Sequence, residues 1–231
     1  MSQGQPNTSY PITQSQKFSP IFTGDYAAAD EGSYFVSTLA ATASTAVACT
    51  TQALADTNPA IAIFNGQSAG GYNVYLRYMK VKVTTVGGTN TSKNYSSLVD
   101  NLTVKLTTTG TGLSVPANVN TGSSVLSLVT LNGGVNIAAA QTVNGRRVGD
   151  GQVTGAVEVA FDEWIFEFGP PVMGKNLIGT TTVVSARTVP HAPVILAPGW
   201  WFTMGFWGAA QAAVADTLGW EVGFIIRPSG Q

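Results

Sequence analysis

The sequence predicts an all-β, antiparallel sandwich preceded by an extended arm. Three observations carry that prediction. Several segments place apolar residues at every second position, the period of a strand with one buried face. Turn-forming groups punctuate those segments, among them Asn65-Gly66, Gly70-Gly71, Gly87-Gly88, Asn132-Gly133-Gly134, Asn144-Gly145, Pro170-Pro171 and Pro198-Gly199. No stretch carries helical periodicity over the length of an ordinary helix.

In chain order, residues 1–23 form the arm. Pro6, Pro11 and Pro20 interrupt any helix, and Gln, Ser and Thr fill the spaces between them. Tyr10, Ile12, Phe18, Ile21 and Phe22 are its apolar exceptions. Such an arm either orders against a neighbouring molecule or packs on its own domain. Residues 24–231 form one sandwich domain, with no composition break and no internal repeat.

Ile61 to Phe64 is the first strand of that domain to stand out. Residues 72–84 follow as a run of about 43 Å at roughly 3.3 Å per residue, long for a strand. Its apolar positions switch phase between Tyr78 and Met79, from Val74, Leu76 and Tyr78 to Met79, Val81 and Val83. A bulge, or a bend that carries the strand from one sheet into the other, accounts for such a switch.

Further alternating runs are Leu102, Val104 and Leu106; Val157, Val159 and Phe161; Trp164, Phe166 and Phe168; and Trp220, Val222, Phe224 and Ile226. A second phase switch falls between Phe161 and Trp164. Trp200, Phe202 and Phe206 share one face of another strand, and Trp201 and Trp207 the other. One face fills the core and the other a subunit interface. The total comes to eight to ten strands. Ser96 to Asp100 is expected to form a single turn, and Gly208 to Leu218 a short helix or a hairpin loop.

Charge is scarce. Only 10% of the residues are charged, against about 25% in an ordinary soluble domain. Two readings stand: a neutral, hydroxyl-rich β surface, or a surface largely covered by partners, since interface cores are depleted in charge. The net charge of −1 and the lack of a clustered basic patch argue against nucleic-acid binding. The single cysteine, Cys49, excludes an intrachain disulfide and a thiolate zinc cluster. No apolar run reaches the ~18 residues of a membrane span, and the first ten residues lack the features of a secretory signal.

One string needs chemical scrutiny. Gly66-Gln67-Ser68-Ala69-Gly70 matches G-x-S-x-G, the nucleophile elbow of α/β-hydrolases. That elbow requires a helix after the serine, whereas Tyr72 to Val83 carries strand periodicity. His191, the only histidine, lies between Pro190 and Pro193 on an extended segment and lacks the second histidine of a histidine-based metal site. Asp162 and Glu163 are adjacent, so on a strand they point to opposite faces and form no carboxylate pair. No catalytic residue, cofactor site or metal site is therefore assigned.

Two regions carry a family likeness. Pro193 to Gly199 is an apolar strand ending in Pro-Gly, followed by the aromatic strand Trp200 to Trp207, a loop and the last strand Trp220 to Arg227. Upstream, Ala62-Ile63-Phe64-Asn65 leads through a Gly-rich loop to Asn73-Val74-Tyr75-Leu76. Over about residues 60–227 the chain resembles small virion proteins of tailed bacteriophages, and among them jelly-roll capsid decoration (cement) proteins. Region 107–156, rich in Gly, Asn and Thr, departs from that pattern.

The resemblance implies a jelly-roll sandwich that assembles as a homotrimer on the outside of the capsid. There it would bind the major capsid protein and bridge capsomers, after assembly in the host cytoplasm. No nucleic acid, membrane, small-molecule substrate or cofactor is implied. Phe18, Ile21, Phe22, Trp201 and Trp207 are the candidate interface residues. The alternatives are a receptor- or carbohydrate-binding module of a phage tail, baseplate or head fibre and, behind it, an α/β-hydrolase built on Ser68.

Overall fold

The structure is a computed structural model that describes residues 24–38, 47–48, 50–51, 54–87, 93–101, 106–108, 110–112, 115–137, 146–154, 159–169, 186–208 and 216–228. Helix α1 (Gly24–Asp30) precedes β1 (Tyr34–Thr38), β2 (Val47–Ala48), β3 (Thr50–Thr51), β4 (Ile61–Asn65), β5 (Tyr72–Thr85) and β6 (Lys93–Asp100). Then come β7 (Leu106–Thr108), β8 (Thr111–Gly112), β9 (Ala117–Asn118), β10 (Val129–Gly133), β11 (Asn136–Ile137) and β12 (Arg146–Thr154). The last five are β13 (Glu163–Phe168), β14 (Ala186–His191), β15 (Ile195–Leu196), β16 (Trp201–Trp207) and β17 (Thr217–Pro228).

Two sheets pack face to face, which makes the fold an all-β sandwich. The first runs β14-β13-β5-β17-β1-β9, with β15 beside β5 and β2 beside β17. The second runs β12-β6-β16-β4-β10-β8, with β3 beside β16, and β7 and β11 form a separate two-stranded ribbon. Among the eight strands at the centre, the chain deals β1, β5, β13 and β17 to one sheet and β4, β6, β12 and β16 to the other. All contacts within these two groups are antiparallel. Parallel pairing occurs where β14 joins β13 and β3 joins β16.

The core lies between the sheets. Phe35, Val74, Leu76, Met79, Trp164, Phe166, Trp220 and Phe224 from the first sheet meet Ile61, Ile63, Tyr95, Leu131, Phe202, Met204 and Phe206 from the second. Aromatic rings close the gap: Trp164 to Phe206 at 5.5 Å, Tyr95 to Phe166 at 5.0 Å edge-on and Phe168 to Phe202 at 5.6 Å edge-on. Burying each such side chain contributes on the order of 1.5–3 kcal/mol. The alternating runs at Trp164-Phe166-Phe168 and Trp220-Val222-Phe224-Ile226 all face this core, as expected.

The first phase switch has a different cause from a strand crossing between sheets. Tyr78 pairs with Gly223 and Leu76 with Phe224, so Arg77 is the extra residue of a β-bulge. The bulge restores phase: Val74 and Leu76 before it, and Met79, Val81 and Val83 after it, all point into the same core. β5 stays in one sheet and instead changes neighbour, pairing with β13 over Tyr78–Lys82 and with β15 over Val74–Tyr75.

The second phase switch is a turn. Val159 and Phe161 are exposed, Phe161 takes φ 77°, and β13 starts only at Glu163. The alternation expected through 157–161 is thus not a buried strand face where the chain is described. Lys82 lies over the exposed Phe161 ring at 4.9 Å.

Other expectations change as well. Ser96 to Asp100 is not a turn but the second half of β6, whose Ser96, Ser97 and Asp100 are buried. A helix the periodicity did not reveal, α1, spans seven residues. Gly32, at φ 72°, closes it, with Gly32 N–H donating to Ala29 O and Ser33 N–H to Ala28 O. These are the paired bonds of a Schellman C-cap. The strand segments outnumber the expected eight to ten because short rim segments add to the count: β2, β3 and β15, and from region 107–156 β8, β9 and β10. Cys49, Leu102 and Val104 lie outside the described residues, as does most of Gly208 to Leu218.

Candidate functional site

β16 carries the aromatic candidates. It follows a turn in which Pro198 holds the second position and Gly199 the third at φ 80°, closed by Trp200 N–H donating to Ala197 O at 3.0 Å. This is the arrangement of a type II turn. Phe202 and Phe206 then point into the core, and Trp200 packs against its edge. Trp201 points to the other face, where its ring stacks on Phe64 at 4.4 Å and packs with Ala62, Val135 and Ile137. It is 9% exposed, so residues of its own chain cover it. Trp207, at the far end of β16, is half-buried. Phe18, Ile21 and Phe22, the other candidate interface residues, lie outside the described residues.

A surface the sequence did not single out lies in segment 115–128. Val115 is 84% exposed, Leu126 81% and Leu128 56%, and Val119 and Val125 are also open. Its base is held firmly. Asn118 Nδ2 donates to Gly32 O at 2.8 Å and Asn120 Nδ2 to Asp30 O at 3.0 Å, while β9 pairs with β1. These bonds fasten the apolar segment to the C-terminal end of α1. Its signal was present as five large apolar residues in an otherwise Ser- and Asn-rich stretch, but they lack a sustained strand or helix period.

The bulge helps to fix the other end of α1. Arg77 pairs with Asp25, with Nε and Oδ1 2.6 Å apart, and Nη2 donates to Oδ2 at 3.2 Å. Nearby, Tyr78 donates to Glu221 at 2.8 Å. Burial, then the Asp25 charge, pushes Tyr34 up to about 12; burial and the Glu221 bond raise Tyr78 as well. Tyr78 therefore stays neutral and acts as a hydrogen-bond donor to Glu221 on this outer face.

Two polar pairs sit inside the sandwich, both on the inward side of β6. Lys93 donates to Asp216 Oδ2, both side chains wholly buried, and Gly87 N–H donates to Oδ1 at 2.7 Å. Further along, Ser97 Oγ lies 2.7 Å from His191 Nε2. His191 Nδ1 is 2.8 Å from Ala192 O, which can only accept, so the neutral ring carries its proton on Nδ1 and Nε2 accepts from Ser97. Phe168, Phe202 and Tyr95 surround the imidazole. Burial lowers its pKa, opposed by the Ala192 carbonyl.

Ser68 is exposed in the loop between β4 and β5. The element that follows it is strand β5, as its periodicity implied, and His191 is engaged with Ser97 instead. Among the described residues, no group of three or more His, Cys, Asp or Glu side chains is placed to hold a metal. No helix among them is long and apolar enough to cross a membrane. No protein-family model, no curated protein and no solved structure matches this chain.

Proposed function

We propose that this chain is a structural virion protein: a jelly-roll domain that binds the outside of a phage capsid as a homotrimer and stabilises the shell by bridging capsomers. The observation that carries the assembly reading is the open apolar segment 115–128, anchored to the C-terminal end of α1 and to β1. Large apolar side chains held rigidly in water are the usual mark of a protein-binding surface. The jelly-roll assignment is supported by the dealing of eight central strands between two sheets, which gives the orders β1-β17-β5-β13 and β4-β16-β6-β12. The virion assignment rests on the sequence likeness of the β4–β5 and β15–β17 regions to phage decoration proteins. Such binding adds stability to the assembled shell by mass action, without chemistry.

The sugar-binding alternative needs an open aromatic platform with polar neighbours. The outward face of β16 is occupied by Phe64, Val135 and Ile137 instead, so assembly is the better supported reading. Sedimentation of the protein alone and with capsids lacking it tests the proposal. A trimer of about 72 kDa, three times the 24.0 kDa chain, that co-sediments with capsids is expected. A monomer that leaves the capsids untouched would overturn it.

A further inference from the structure

Lys93 and Asp216 stand apart from the other ion pairs. Arg77–Asp25, Lys80–Glu163, Arg147–Asp56 and Arg227–Glu31 each keep a quarter or more of both side chains exposed, whereas neither Lys93 nor Asp216 has any exposure. Burying a full charge pair costs several kcal/mol per ion in lost hydration, which attraction alone often fails to recover. The pair also spans the sandwich. Lys93 opens β6 in one sheet, and Asp216 precedes β17 in the other.

We propose that Lys93 and Asp216 are the partners of an intramolecular isopeptide bond, formed without an added reagent, that staples the two sheets. The geometry supplies what the condensation needs. The nitrogen already touches the carboxyl group, water is excluded, and Gly87 N–H donates to Oδ1 at 2.7 Å, drawing electron density from the carbon to be attacked. A proton passes from Nζ to the carboxyl oxygen along their own contact, leaving an amine and an acid. The nitrogen lone pair attacks Cγ and the Cγ–O bond breaks. The hydroxyl leaves as water with a second nitrogen proton, and an amide N–H remains. Nothing is oxidised or reduced. Two buried charges become one neutral amide, and the dehydrating environment favours the product.

The inference is independent of the virion proposal, since it concerns the chain alone. The full-length protein, purified and denatured, is weighed intact and then digested. The expected result is a mass lower than the sequence mass by one water, with a branched peptide joining the Lys93 and Asp216 fragments. Lys93→Arg, which keeps the positive charge, is expected to show the full sequence mass. A wild-type chain at the full sequence mass overturns the proposal, as does a water loss that maps to a succinimide elsewhere. The wild-type measurement decides the matter even if the variant does not fold.

Discussion

The two polar pairs on β6 share a strand and a core but solve different problems. Ser97–His191 is neutral. One hydroxyl proton, one imidazole proton and the Ala192 carbonyl satisfy each other within the apolar ring of Phe168, Phe202 and Tyr95. Lys93–Asp216 carries the groups of an ion pair into the same low-dielectric space. A neutral pair can lose one bond and keep its neighbours, whereas each member of a charged pair depends on the other. The same strand therefore holds a position tolerant of change and one that is not.

The largest expected effect breaks the charged end. Lys93→Met leaves the Asp216 carboxylate buried without this cation and without the amide proposed above, at a cost of at least about 3–5 kcal/mol. Urea unfolding measures it, and the double change Lys93→Met with Asp216→Leu is expected to be less destabilised than the single one. Next comes Gly149→Ala. A Cβ there would stand 2.5 Å from His191 Nε2 and 3.0 Å from Ser97 Oγ, prising the neutral pair apart for about 1–3 kcal/mol. Ser97→Ala, which removes the neutral hydroxyl shared between His191 Nε2 and Gly149 O, is expected to cost about 1 kcal/mol by the same measurement.

The smallest effect is a pH dependence at the neutral end. Burial holds the folded pKa of His191 below its ordinary 6.5. As pH falls below 6.5, the unfolded chain takes up a proton that the folded chain resists, so stability contributed above that pH is progressively lost until the folded imidazole also protonates. Urea midpoints on either side of that value measure the decline. His191→Gln is expected to flatten it, and an unchanged slope would place the titration elsewhere.

These contrasts also show what the sequence could and could not disclose. Strand periodicity located β5, β13, β16 and β17 because each buries one face over several residues. It separated core-facing Phe202 and Phe206 from outward-facing Trp201 and Trp207 for the same reason. It could not say what covers Trp201, because that depends on Val135 and Ile137, some sixty residues away in the chain and free of any period. The phase break in β5 was visible, yet its remedy depended on β17, where Phe224 skips Arg77 to pair with Leu76. Helix α1 escaped notice because seven residues are too few to display a 3.6-residue period, although Gly32 after an alanine run was a usable stop signal. The pairs on β6 were hidden further still. Ser97 and His191 lie 94 residues apart and Lys93 and Asp216 123 apart, and only the packing of the two sheets brings them together.

The antiparallel pairing of β1 with β17 carries a practical consequence. Tyr34 sits opposite Ile225, and Ile226 N–H donates to Ser33 O at 2.9 Å, so the chain enters the sandwich and leaves it at the same end of one sheet. A reporter or affinity handle attached at the outer end of β1 or of β17 would therefore start from the same corner of the sandwich, close to the exposed segment anchored by Asn118 and Asn120.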